Sequence, residues 1–233
     1  MRRRVRLLGT VVATVGVLFI VWALVVWQWQ DPFTALYTTW KQHQLAAQYA
    51  KRASAFRATV SPNGTLSTER RDIAVEAARY RNDTHAGEAI GRIVVPRMGV
   101  NMVLVDGTDH DSLTKGPGRN LGTYMPGQNR LIYIAGHRTT YLAPFSHIDL
   151  MRKGDEVTLK VPYGTFVYRV SGQRIVPADD LSVLQSPPHE LLELQACHPR
   201  FFATHRYIAY AQLVRVEPRG GMPYTAEALG STG

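Results

Sequence analysis

At 233 residues, 45% of them hydrophobic, and with a formal charge of +9, the chain is long enough for one folded domain plus accessory segments. Four of the 27 basic residues fall in the first six positions, which leaves 23 against 18 acidic ones and no dense basic block suited to a nucleic acid. The single cysteine excludes an internal disulfide framework, so that thiol is buried filler, an intermolecular partner or a reactive group.

Arg2, Arg3, Arg4 and Arg6 make residues 1–6 a basic tail. Residues 7–30, LLGTVVATVGVLFIVWALVVWQWQ, carry no charge, and as a helix they would extend roughly 36 Å, enough to cross a hydrocarbon core with some tilt. The run ends in VVWQWQDP rather than in small residues at a cleavage site, which predicts an uncleaved anchor held by membrane lipid. With arginines before it and Asp31 after it, the span places the N-terminus in the cytoplasm and the rest of the chain outside the cell, with Trp22, Trp27 and Trp29 toward the outer end.

Asp31-Pro32 reads as a helix start, an acidic cap followed by proline at the first helical position. FTALYTTWKQHQLAAQYAKRASAF is free of Gly and Pro and predicts a helical stalk; SPNGTLSTERRD breaks it, and IAVEAARYRNDTHAGEA is a second short helix or tether. Residues 31–87 are thus expected to be a stalk and linker. Asn63-Gly64-Thr65 and Asn82-Asp83-Thr84 match glycosylation acceptors, a triplet too common to assign a role.

From Ile90 the period shortens. IGRIVVP, VNMVLVDG, RLIYIAGH, DEVTLKVP, TFVYRVSGQRIV, LLELQAC and RYIAYAQLVRVEP are short runs rich in Val, Ile, Leu and Tyr between turn residues. They predict one all-β domain, barrel or sandwich, over residues 88–218, with short helices at TDHDSLTKG and APFSHIDLM and a flexible tail over 219–233.

Cys197 ends the run LLELQAC, and Pro199 stops the ladder from continuing, so the thiol belongs at a strand terminus. An ordinary thiol, with a pKa of ~8.5, is only a few per cent thiolate at neutral pH, so nucleophilic chemistry needs a base, a cation or both nearby. His198 is adjacent, yet neighbouring residues in an extended segment point to opposite faces. His137 also ends an apolar run, and two strands ending at one rim would bring it to Cys197. Arg206 opens the next run, where a short return loop sets a guanidinium beside the thiol, able to hold a carbonyl or a developing oxyanion.

AGHRTTY, then YGTFVYRVSGQRIVP, then LQACHPRFFATHRYIAYAQL, resembles the sortases, cysteine transpeptidases of Gram-positive surfaces, and most closely their class E branch. The resemblance covers about residues 88–218. It implies an eight-stranded sortase-type β-barrel with short helices, Cys197 as nucleophile, His137 as general acid/base and Arg206 as substrate clamp and oxyanion support. It also implies surface proteins bearing a C-terminal sorting signal as substrates and a peptidoglycan-precursor or pilin amine as acceptor. No cofactor is implied, and whether calcium modulates a loop stays open. Sortases usually read Thr-Leu-x-Thr-Cys, whereas Glu193 and Ala196 occupy the threonine positions; Asn120 stands where many class E relatives have tyrosine, which leaves LAXTG against LPXTG preference open. Three other readings compete: an extracellular cysteine hydrolase using the same Cys-His-Arg site with water as acceptor, a metal site from Cys197, His198 and His137, and an anchored β-domain without catalysis.

Overall fold

The computed structural model describes residues 2–29, 32–57 and 65–226. Its strands in chain order are β1 (Ala89–Val95), β2 (Val100–Asp106), β3 (Gly118–Arg119), β4 (Leu131–Ala135), β5 (Glu156–Val161), β6 (Gly164–Pro177), β7 (Leu191–His198), β8 (His205–Pro218) and β9 (Tyr224–Thr225). All but the two-residue β3 and β9 fall on the runs read from the sequence. Their side chains are largely β-branched and aromatic, which pack well on a half-buried pleated surface.

The strands follow one another in the order β6-β5-β1-β2-β3-β4-β7-β8, and β8 pairs back onto β6, so eight strands close a barrel to which β9 adds a short outer pairing. Closure leaves the eight with paired edges. Two neighbouring pairs are parallel, β2 with β3 and β4 with β7; the rest are antiparallel. The β4–β7 pair matters for function. Parallel strands finish at the same rim, so the residues that follow Ala135 and the end of β7 emerge side by side.

The two-residue period sorts these strands into two faces. Ile132, Ile134, Leu192, Leu194, Ala196, Ala209 and Ala211 point into the main core with Tyr163, Phe166 and Tyr168. Leu131, Tyr133, Ala135 and Ile208 point outward and are buried instead by Val176 and Val183, the latter in the segment between β6 and β7. A roofed face is therefore available outside the barrel wall, on β4, β7 and β8.

Among the described residues four α-helices accompany the barrel: α1 (Arg2–Trp29), α2 (Pro32–Ala55), α3 (Leu66–Asn82) and the single turn α4 (His110–Leu113). Within α1, Arg3–Val25 is long and apolar enough to cross a membrane. The segment expected as a spacer lies against the barrel. Thr38 and Leu45 of α2 are buried, and the Gln42 amide docks on the backbone of β2, donating to the Val103 and Lys115 carbonyls and accepting from the Val103 N–H. From α3, Ile73, Ala77 and Tyr80, spaced along one helical face, enter the main core, and the Tyr80 hydroxyl donates to the Ile90 carbonyl at 2.9 Å. Burying Ile73 alone contributes about 1.5–3 kcal/mol, more than a tether's solvated helix would gain from the same residue.

Helix α3 also starts earlier than expected, at Leu66 within the expected break, with Thr65 as its cap accepting from the Thr68 N–H. Within the expected tail, Tyr224 and Thr225 form β9. The Asp31 cap, Pro62, Asn63 and Gly64 of the break, the Trp27 and Trp29 side chains and residues 227–233 lie outside the described residues.

Candidate active site

Cys197 and Arg206 stand directly opposite each other in the antiparallel β7–β8 ladder. In the parallel β4–β7 ladder Ala135 is opposite Gln195, and the Gly136 N–H still donates to the Gln195 carbonyl at 3.0 Å, so His137 emerges level with Cys197. By the same period, Tyr133, Ala135 and Gln195 share the outer face with Cys197 and Arg206. His137, Cys197 and Arg206 accordingly line one cleft of about 300 Å³, closed on its other side by Leu181, Val183 and Leu184 from the β6–β7 segment. Asn120 also lines it, holding Thr108 through its amide and Gly122 through its carbonyl. Gly136 permits this geometry, since a Cβ there would meet the Phe145 ring at 2.7 Å.

The His137 Nε2 is buried and has no hydrogen-bond partner among the described residues. Burial, and then the nearby His110, hold its proton affinity below the ordinary histidine value. Its ring lies against Tyr141, centroids 5.0 Å apart, and Tyr141 in turn meets His110 edge-on at 6.2 Å. Arg206 is half-buried, and its Nη1 donates to the Ala203 carbonyl at 2.8 Å and the His205 carbonyl at 3.0 Å, so one arm of the fork is fixed by its own loop. Cys197 is half-buried and reduced.

His198 turns to the other face, as expected. Its Nδ1 lies 3.0 Å from Arg138 Nη1, which also donates to the Cys197 carbonyl at 3.3 Å. Arg138 is buried, salt-bridged to Asp149 at 3.1 Å, and its guanidinium sits 5.9 Å from the centre of the Tyr207 ring. It ties the residue after His137 to the backbone of Cys197. Sequence reading passed over Arg138; the available signal was a charged side chain directly after a fully apolar strand end, which has to find partners or face water. With His198 held by Arg138, the set Cys197, His198 and His137 does not assemble around one point. Among the described residues no group of three or more His, Cys, Asp or Glu side chains is placed to hold a metal ion.

Glu193 lies four residues before Cys197 on the same outer face, opposite Tyr133 on one side and Tyr210 on the other. It is buried, its Oε2 lacks a partner among the described residues, and burial pushes its carboxyl up to about 8. The native state then holds a proton that an unfolded glutamate releases near pH 4.5. Stability from this group is fully present below pH 4.5 and is lost progressively as pH rises toward about 8. Glu193→Gln is therefore expected to raise Tm at pH 8 by several degrees and to leave it nearly unchanged at pH 4.5, a gap that calorimetry across that range measures.

Residues 93–214 match the family model described as the sortase domain. The chain is 33% identical over 189 residues to Sortase D of Bacillus subtilis (strain 168), covering 79% of this chain and 87% of the relative. A Clostridium perfringens Sortase D5 transpeptidase shares the fold, with a TM-score of 0.59 at 22% identity, covering 75% of this chain and 98% of the other. Sortase E from Streptomyces avermitilis superposes with a TM-score of 0.52 at 29% identity over 62% of this chain and 95% of the other. The class E likeness is thus met in part and shared with relatives named sortase D.

Proposed function

Because the chain belongs to the sortase family of cysteine transpeptidases, we propose that it cleaves an LPXTG- or LAXTG-type sorting signal between Thr and Gly through a Cys197 thioester. It then transfers the protein, as the acyl group that now ends in Thr, to a cell-wall or pilin amine. The observation that supports this reading is the convergence of His137, Cys197 and Arg206 on one cleft, through two ladders that end at the same rim. Helix α1 anchors the enzyme in the membrane, with the arginine tail in the cytoplasm and the barrel outside.

In the first half of the reaction the Cys197 thiolate attacks the threonine carbonyl carbon, and the carbonyl π pair moves onto oxygen. The free arm of Arg206 faces that oxygen. Collapse forms the thioester and breaks the C–N bond, and the His137 imidazolium gives its proton to the departing glycine amine. In the second half an acceptor amine attacks the thioester, neutral His137 takes a proton from it, and the Cys197 thiolate leaves. Leu181, Val183 and Leu184 wall the cleft with apolar surface, which suits an extended peptide and limits water at the thioester.

The test incubates the protein with labelled LPXTG and LAXTG peptides, with and without a glycine-based amine, and identifies products by mass. A ligated product that depends on the amine is expected. Hydrolysis unaffected by the amine would replace the transpeptidase reading with the hydrolase one.

The kcat/KM profile is expected to be a bell, since nucleophile and acid must hold opposite protonation states. His110 disfavours charge on His137, so His110→Gln lets His137 keep its proton to higher pH. The acidic limb should then move upward while the alkaline limb stays, which peptide cleavage rates in buffers from pH 4 to 10 would read.

A further inference from the structure

Helix α2 buries one side against the barrel and exposes an apolar stripe on the other. Leu36 is 72% exposed, Trp40 53% and Tyr37 41%, and Phe33 continues the row one turn earlier at 72%. These positions, i, i+3, i+4 and i+7, make a single face of the helix. One to three turns further along that face come the exposed Gln44, Gln48 and Lys51. The apolar character is confined to the end of α2 that follows the apolar span.

One contact places that end at the depth of the span. The Phe33 ring packs 5.7 Å from the ring of Trp22, which lies within the stretch Arg3–Val25. The first turn of α2 therefore stands beside the outer turns of α1 rather than beyond them. Lys41 closes the stripe, with its ammonium 4.6 Å from the Trp40 ring centre and 5.7 Å from that of Tyr37. Aromatic rings edged by a cation are the side chains that favour the boundary between acyl chains and headgroups.

The opposite side of the same turns grips the cleft. The Thr34 hydroxyl accepts from the Tyr141 N–H at 3.0 Å, Thr38 donates to the Thr114 carbonyl at 2.8 Å, and the Tyr141 ring covers His137. One helix thus joins an apolar outer face to the loop that carries His137.

We propose that Leu36, Tyr37 and Trp40, together with Phe33, form a lipid-contacting face that lies in the bilayer interface and seats the barrel with its cleft rim beside the membrane surface. This rests on the reading of α1 as a membrane span. The seat fixes the height at which substrate and acceptor amine can be engaged, which a span followed by a free tether would not.

The test uses the full chain in phosphatidylcholine–phosphatidylglycerol vesicles. In a Cys197→Ala background, an environment-sensitive fluorophore is attached at Trp40→Cys, at Gln48→Cys, or at Val17→Cys within the span, and quenching is measured with lipids brominated near the headgroup end or deep in the chain. Position 40 is expected to lose about half its emission to the shallow bromines and position 48 far less, with position 17 quenched by the deep ones. Quenching at 17 without quenching at 40 would overturn the seat while keeping the span; its absence at 17 would remove the span itself. Emission at 40 that falls with protein density and ignores bromine would assign the stripe to a second copy of the chain.

A second measurement labels the native Cys197 and follows energy transfer to a headgroup acceptor. Substituting serine at Phe33, Leu36 and Trp40 is expected to lower the transfer at unchanged Tm. Unchanged transfer would overturn the positioning of the cleft.

Discussion

Cys197→Ala is expected to abolish peptide cleavage and amine transfer together, with a loss of at least ~10⁴-fold in kcat, while Tm moves by no more than about 2–4 °C. The two expectations separate chemistry from folding. Cys197 lies half-buried at the end of β7, and its backbone, which carries the ladder to β8 and the hydrogen bond from Arg138, survives the substitution. What disappears is the sulfur on the outer face, the single thiol of the chain. Intact-mass spectrometry on a substrate that traps the acyl-enzyme should show one adduct, at Cys197, and none in the variant. A variant that still turns over peptide, or an adduct placed elsewhere, would remove Cys197 from the nucleophile role.

The strands and the meeting of the three candidate residues were legible because both depend on short-range pattern, whereas the choice of barrel over sandwich came from the resemblance, since closure rests on the long-range β6–β8 pairing. Runs such as LIYIA and LLELQAC announce strands, and a residue that closes a strand is placed at a rim before any tertiary contact is known. What stayed hidden depends on partners far along the chain. Two residues, Gly118 and Arg119, have no periodicity to display, and they pair only because β2 and β4 lie on either side. After Leu66 the first turns of α3 are Ser, Thr, Glu, Arg and Asp, so its early start and its docking show themselves only through Ile73, Ala77 and Tyr80 meeting the core.

The same distinction applies at the cleft. His137 and Cys197 could be matched by context, but Arg138 acquires meaning only when Asp149, Tyr207 and the Cys197 carbonyl surround it. Glu193 was visible as a departure from the usual Thr-Leu-x-Thr-Cys pattern. Its burial between Tyr133 and Tyr210, which sets its protonation, is a property of three strands at once.

Arg206→Ala is expected to lower kcat/KM by about 10²–10³-fold, the usual cost of ~2.7–4 kcal/mol for removing one oxyanion donor from a preorganised site. The register argues for this magnitude. Arg206 is directly opposite Cys197, so its guanidinium leaves the backbone from the neighbouring position on the same face as the sulfur. One arm is held by the Ala203 and His205 carbonyls, which fixes the plane of the fork and leaves the other donors toward the cleft. A lysine keeps the charge but offers a single ammonium, which has to choose between the loop carbonyls and the substrate oxygen. Arg206→Lys should therefore recover only a small part of the loss. Alkylation of Cys197 by a small reagent is the control, because that reaction builds no oxyanion and responds only to access and thiolate population. In Arg206→Ala the alkylation rate should change by less than about tenfold while peptide transfer falls by the full amount. If alkylation slowed as far as transfer, the guanidinium would be acting on the thiolate population of Cys197, and the oxyanion assignment would have to be given up.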